Sequence, residues 1–339
     1  MGKTTIITCM SSNAVFENPA NLARIINNNI QVSARFFYFN LNKETNSDEQ
    51  YEYDYPMKIK PTSFSIAYPM RINDTDFTLG LGYRTYFDFQ YKYTYSYKFS
   101  EIENKATYTS KGGFNTLSIG SGYKTGNLSI GLTYNIGIFS KENKTSIFTS
   151  SGGNDQKVIW KGDISGSFFN IGISYEFNKK FTIGFVYRNS FTYTNQYDYF
   201  HYDSNLLVEE GTGKIEDEIP ELLICSFQYN PSSKIKTIAE IHRVKFLESY
   251  NSEDGINIRL GIEYLYNFPV RFGLFRDIYP WPEKHRKIYG ITGGMGIPIT
   301  KDIYSDIACE AAFCNWDYVD SKYSTSQMKV FISMGYVFK

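Results

Sequence analysis

The sequence predicts an all-β protein: a transmembrane antiparallel β-barrel of about 14 strands. Three observations predict it. The first is the stretch Leu128 to Ile138. Its even positions, Leu128, Ile130, Leu132, Tyr134, Ile136 and Ile138, are apolar, and the positions between them are Ser, Gly, Thr, Asn and Gly. That is the period of a strand with one apolar and one polar face. A water-facing sandwich strand would carry Lys or Glu on the polar face, whereas this one carries small residues over about the length that crosses a bilayer.

The second observation is composition. The 339 residues include 30 Tyr and 27 Phe, 18% aromatic in all, at a mean hydropathy of -0.36. No run of about twenty apolar residues exists, which excludes a helical membrane protein. A barrel averages its two faces and so reads as polar overall. The third observation is the spacing of turns: short connections alternate with long ones, as a barrel with both chain ends on one side requires.

Taking period two as the ruler, residues 30–339 form the barrel and residues 1–29 precede it. The predicted strands lie near 30–42, 61–70, 77–99, 106–124, 128–146, 157–177, 181–200, 214–229, 235–247, 256–266, 269–277, 286–297, 303–316 and 326–338. The short links are 71–76, 124–127, 178–180, 230–234, the corner at 267–269 and 298–302, all rich in turn-forming residues. Between them come longer Ser/Asn/Lys/Glu-rich links such as 43–60, 139–156, 201–218 and 277–285. Lipid-facing sets such as Phe77, Leu79, Leu81, Tyr83 and Phe169, Ile171, Ile173, Tyr175, Phe177 tend to end in an aromatic near a short turn, where an interfacial belt sits. In the third strand the alternation runs on through Tyr91, Tyr93, Tyr95 and Tyr97, which extends the wall beyond the membrane.

The opposite faces line the lumen. They carry Arg35, Arg84, Glu176, Arg188, Glu240, His242, Arg259, Glu263, Asp306, Glu310 and Lys329, charges of both signs that must be paired or hydrated inside a barrel. The same register holds Phe37, Phe39, Leu222, Ile224, Ile238, Ile288, Phe331 and Val337. An unspecific water-filled porin has little use for such side chains, and a plugged barrel that holds apolar ligands does. The candidate ligand-binding residues are therefore Phe37, Phe39, Leu222, Ile224, Ile238 and Phe331, with Arg35, Arg84 and Arg259 as cations of the same lumen.

Other functions are poorly supported. Thirty-five basic residues balance thirty-five acidic ones, so no net positive charge attracts nucleic acid. Cys9, Cys225, Cys309 and Cys314 show no CxxC spacing, and Cys309 and Cys314 fall on opposite faces of one strand. Glu240 and His242 share a face, which permits a carboxylate–imidazole pair, yet no motif supplies a nucleophile. No enzyme, metal or cofactor is expected. Met1 to Asn13 lacks the basic start and apolar core of a secretory signal, so the chain is expected to begin inside the mature protein.

Before the first strand comes Asn13-Ala14-Val15-Phe16-Glu17-Asn18-Pro19-Ala20-Asn21-Leu22-Ala23. It resembles the Asn-Pro-Ala hatch signature of the FadL/TodX family of outer-membrane transporters for long-chain fatty acids and other hydrophobic compounds. Glu218-Ile219-Pro220-Glu221-Leu222-Leu223, then Phe227-Gln228-Tyr229-Asn230-Pro231, and later Arg259-Leu260-Gly261-Ile262-Glu263-Tyr264, are similar to that family's later strands in order and spacing. The resemblance implies a bacterial outer-membrane barrel of fourteen strands plugged by a short N-terminal hatch, here residues 1–29 with its start missing, containing Asn18, Pro19 and Ala20, and Arg35, Arg84 or Arg259 to meet the carboxylate headgroup of a fatty acid. It further implies passive uptake of a hydrophobic small molecule, with sideways exit into the bilayer at an inward kink of the third strand, where Gly80 and Gly82 face inward. Some relatives act instead as non-transporting partners of surface or secreted proteins, which is the alternative here. The end of the chain, Tyr336-Val337-Phe338-Lys339, lies one residue past the aromatic on which the signal for the outer-membrane assembly machinery usually ends.

Overall fold

The computed structural model describes residues 4, 6–44, 50–52, 58–72, 75–88, 91–99, 102–149, 156–203, 206–245, 254–279, 286–318 and 321–338. Two 3₁₀ turns, Ser12–Val15 and Pro19–Arg24, precede β1 (Asn28–Glu44), β2 (Gln50–Glu52), β3 (Lys58–Ile72), β4 (Thr75–Asp88), β5 (Tyr91–Phe99) and β6 (Ile102–Thr125). Then follow β7 (Leu128–Thr149), β8 (Gln156–Glu176), β9 (Phe181–Arg188), β10 (Phe191–Asp203), β11 (Leu206–Ile219) and β12 (Glu221–Ser232). The last are β13 (Ile235–Lys245), β14 (Gly255–Leu265), β15 (Pro269–Tyr279), β16 (Arg286–Pro298), β17 (Ile303–Tyr318) and β18 (Ser321–Phe338).

These segments build fourteen wall strands. β4 with β5 lies along β6, β9 with β10 lies along β8, and β11 with β12 continues on the far side of β9 and β10, so each of these pairs belongs to one wall strand. Among the described residues the short β2 pairs with β5. All pairing is antiparallel, and β1 with β18 closes the sheet over Asn28↔Phe338 to Glu44↔Lys322. Closure matters because a bilayer offers backbone groups no other partner. The strand count agrees with the sequence. The predicted seventh and eighth strands, however, are each interrupted, at Asn189–Ser190 and at Pro220, and positions 89–90 of the predicted third strand lie outside the described residues. Pro220 has no N–H to give to a ladder, which accounts for the second of these breaks.

The faces are inverted relative to a soluble protein. On β7 the apolar set Ile130, Leu132, Tyr134, Ile136 and Ile138 is exposed, while Ser129, Thr133 and Asn135 are buried. On the buried side Ser118 Oγ donates to Asn135 Oδ1 at 2.6 Å. A sandwich would show the reverse. Near the short turns the outward aromatics pair: Phe181 stacks on Tyr229 at 4.8 Å, Tyr336 on Phe338 at 5.6 Å, and Tyr175 meets Phe177 edge-on at 4.8 Å. Gly126, in the turn between β6 and β7, has φ +54°, the left-handed conformation that two-residue hairpin turns require.

Candidate functional site

The hatch, up to Ile25, sits in the lumen and is buried there: Ile6, Ile7, Ala14, Val15, Phe16, Ala20 and Leu22 are all nearly inaccessible. Asn18 caps the second turn, its Oδ1 accepting from the Ala20 N–H at 3.0 Å, and Pro19 opens that turn with the φ a helical start needs. The other end of the same amide, Asn18 Nδ2, donates to the Ile6 carbonyl at 2.8 Å, as does Asn21 Nδ2 at 2.8 Å. These two bonds fold the start of the hatch over its own turn. The hatch is also fixed to the wall. The Ser12 N–H donates to Asn29 Oδ1 at 2.8 Å, the Ile6 N–H to Glu240 Oε1 at 2.9 Å, and two ion pairs, Arg24–Glu176 at 2.6 Å and Arg84–Glu17 at 2.7 Å, reach across.

The wall meets this turn with glycine. On five adjacent wall strands the inward positions Gly80, Gly82, Gly120, Gly122, Gly131, Gly172 and Gly184 lie against hatch atoms. A Cβ on Gly131 would overlap the Pro19 carbonyl group, one on Gly172 the Asn18 side chain, and one on Gly82 the Phe16 ring. Gly80 and Gly82, singled out from the sequence, are thus two members of a larger collar whose missing side chains let the backbone of the hatch approach the wall.

Beside the hatch is a cavity of about 300 Å³, at the small end of the range for small-molecule sites. Ile6 and Phe16 of the hatch and Val186, Leu222 and Ile224 of the wall give it apolar surface, Glu17, Arg84, Arg188 and Arg259 give it charge, and His242 adds a polar ring. Its other lining residues include Tyr86, which meets Phe114 and Phe168 edge-on at 5.7 and 5.8 Å.

Of the residues expected to bind ligand, Leu222, Ile224, Arg84 and Arg259 line this cavity. Ile238 is buried on β13 without reaching it, Arg35 and Phe331 face each other across the β1–β18 seam, and the side chains of Phe37 and Phe39 lie outside the described residues. Two of the three arginines proposed for a headgroup differ from an open anion site. Arg84 is held by Glu17, and Arg259 Nε donates to Asp277 Oδ1 at 3.2 Å. Arg188, read from sequence only as a lumen charge, has no carboxylate in ion-pair range among the described residues. It donates to the Pro220 carbonyl at 3.1 Å and lies over the rings of Tyr86, at 5.4 Å, and Phe168, at 6.0 Å.

The remaining lumen charges pair as scaffolding: Lys236–Glu263 at 2.8 Å, Arg271 with both Glu263 and Asp306, and Lys329–Glu310 at 3.1 Å. Glu240 and His242 do meet, at 3.1 Å. Ser226, the hydroxyl nearest them, donates to Glu240 Oε1 at 3.3 Å rather than to the imidazole, so a nucleophile–base relay is not assembled. His285 and the His201 side chain lie outside the described residues. Cys309 is exposed and Cys314 buried, opposite faces as their spacing predicts, and all four cysteines are free.

Cys9 belongs to the hatch, inside the lumen. Burial, reinforced by the nearby Glu17 carboxylate, pushes its thiol from 9.0 up to about 11. The thiolate is the reactive form, so the two-unit rise predicts that a maleimide modifies Cys9 at pH 8 roughly a hundredfold more slowly in the folded protein than in the unfolded chain. Timed labelling with Cys225, Cys309 and Cys314 replaced by serine checks this. Equal rates would mean that the hatch does not occupy the lumen in solution.

A fourteen-stranded barrel with an inverted surface, a hatch seated on glycine and a cavity beside it is a plugged transmembrane transport barrel. The profile of the outer membrane protein transport protein family (OMPP1/FadL/TodX) matches residues 6–246, and the chain belongs to that family. Its fold is that of a Pseudomonas aeruginosa FadL homologue, with a TM-score of 0.72 at 13% identity over 100% of this chain and 96% of the other. It is similar also to the P. putida toluene transporter TodX (0.69, 14%, 97% and 94%) and the Ralstonia pickettii toluene transporter TbuX (0.68, 14%, 97% and 94%). No curated protein sequence matches it.

Proposed function

We propose that the protein carries hydrophobic small molecules, long-chain fatty acids foremost, passively across the bacterial outer membrane. The observation that carries this reading is the cavity bounded by hatch and wall, with Ile6, Phe16, Val186, Leu222 and Ile224 for an apolar chain and Arg188 beside them for an anionic end. Each methylene buried there contributes about 0.8 kcal/mol, so affinity alone can draw an alkyl chain in. Passage onward then needs the hatch to shift. An exit at the third strand is supported by the β3–β4 ladder, which ends at Ser63↔Arg84 although both strands continue. The second reading, a non-transporting partner protein, is favoured by the ion pairs that tie the hatch to the wall, Arg24–Glu176 and Arg84–Glu17.

Uptake of a labelled long-chain fatty acid by cells lacking their own outer-membrane fatty-acid transporter separates the two. Uptake above the empty-vector control, lost when Asn18 and Pro19 are replaced, supports transport. An inserted barrel with background uptake at several chain lengths supports the partner role. In the same cells Arg188→Gln should lower fatty-acid uptake about ten- to a hundredfold, since hydrogen bonds to a charged group contribute about 1.5–3 kcal/mol. Toluene, with no anionic end, should be taken up as before. Equal loss of both would assign Arg188 to packing.

A further inference from the structure

A barrel wall in a bilayer is sealed by its ladder of hydrogen bonds, so it yields most readily where that ladder lapses. One lapse lies beside the cavity. Between β8 and β9 the upper rung is Asn170↔Arg188, and the next rung beyond it, between β8 and β10, is Ser165↔Thr194. Four residues of β8, 166–169, therefore face five across the break, 189–193, without a rung between them. The Phe169 N–H donates instead to a side chain, Asn189 Oδ1, at 2.8 Å, and Asn189 Nδ2 donates to the Ser190 carbonyl at 2.6 Å. The wall strand behind is interrupted at the same level by Pro220.

The break lies in the apolar belt and opens onto the cavity. Across β7 its level is that of Ile136, opposite Ser167, and Ile138, opposite Ser165, both exposed on the outer surface. Asn170 and Arg188, the rung at its lower edge, both line the cavity. Inside, one aromatic from each lip closes it: Phe168 of β8 and Phe191 of β10 stack at 4.8 Å and 7°, with Phe114 stacked on Phe191 at 5.6 Å. Wall hydrogen bonds have thus been exchanged for one side-chain bond and an aromatic stack, which can part without leaving a ladder unpaired.

We propose that this break is a side door, through which a hydrophobic solute passes from the cavity into the surrounding bilayer when the Phe168–Phe191 stack opens. The inference rests on the transport reading above and adds a route distinct from the third strand. At the third-strand gap only one side reaches the cavity, β4 with Arg84, Thr85 and Tyr86, whereas here both sides of the break do, β8 with Asn170 and β9 with Val186 and Arg188. An apolar solute leaving along the barrel axis would have to be hydrated again, and one leaving here exchanges one apolar environment for another.

The test is to bolt the door. In a background with the four native cysteines replaced by serine, Phe168→Cys with Phe191→Cys places two thiols where stacked rings now meet. Disulfide formation is scored by peptide mapping, and uptake of labelled long-chain fatty acid is compared in oxidised and reduced cells. The expected result is at least tenfold lower uptake in the oxidised double variant, restored by reductant, with the cysteine-free parent indifferent to oxidant. Bolted protein that transports as fast as reduced protein would overturn the door while leaving transport intact. A parent without uptake overturns transport and the door with it. Should the bridge not form, the pair Phe168→Ala with Phe191→Ala decides: a twofold or greater rise in uptake supports the door, and an unchanged or lower rate overturns it.

Discussion

Gly131→Val is expected to give a barrel that inserts and runs as a folded band but has released its hatch. The first added carbon would overlap the Pro19 carbonyl group and approach the Ala20 N–H, and these are backbone atoms, not the end of a side chain that can swing aside. Nor can the turn retreat, because Asn18 behind it lies against Gly172 and Ala23 against Gly122. Overpacking in cores costs about 1–3 kcal/mol where side chains can adjust, and the rigid neighbours here put the cost at the top of that range or above. At about 3 kcal/mol the open-hatch population rises more than a hundredfold. The barrel survives, since its ladder closes through β1 and β18 without the hatch. Cys9 is the reporter: its maleimide labelling should rise by more than tenfold, together with single-channel conductance. Gly211→Val, where nothing lies within 4 Å of the added carbon, should change neither. Slow labelling in the Gly131 variant would show that the collar does not seat the hatch.

The fold was legible because a barrel writes itself locally. Period two with small polar residues on one side assigns each strand's faces, and the Ile130–Ile138 set is exposed as that pattern requires. The breaks were less visible, although one left a trace. Inward residues of β9 fall on even numbers, Val186 and Arg188, while Phe191 of β10 is buried on an odd one, so parity jumps across Asn189–Ser190. The collar had a signal too, since Gly120, Gly122, Gly131, Gly172 and Gly184 share the inward register of their strands. A glycine does not say what approaches it, however, and only the seated hatch explains the set. Choosing the headgroup arginine from sequence was harder still. Arg84 is occupied by Glu17, 67 residues away, and Arg188 has no carboxylate in ion-pair range among the described residues, a matter of where β9, β12 and the hatch meet.

Glu240→Ala should loosen the start of the hatch by a different route. One carboxylate, almost wholly buried, accepts from the Ile6 N–H at 2.9 Å and from Ser226 Oγ at 3.3 Å through Oε1, while Oε2 meets His242 Nε2 at 3.1 Å. Removing it leaves three buried polar groups without their acceptor, each worth about 1–3 kcal/mol when unsatisfied. Water entering the vacated space can satisfy some of them, so a net loss of about 3 kcal/mol is expected rather than the full sum. Glu240→Gln keeps one acceptor oxygen for Ile6 and should lose about half as much. Because Asn18 and Asn21 both hold the Ile6 carbonyl, the disturbance reaches the Asn-Pro-Ala turn. The order of Cys9 labelling should therefore be Ala over Gln over parent, with heat-modifiable mobility unchanged. If Gln loosens the hatch as much as Ala, the negative charge itself does the holding, through His242. If neither loosens it, the glycine collar and the remaining bonds to the wall, Ser12 to Asn29, Arg24 to Glu176 and Glu17 to Arg84, seat the hatch without Glu240.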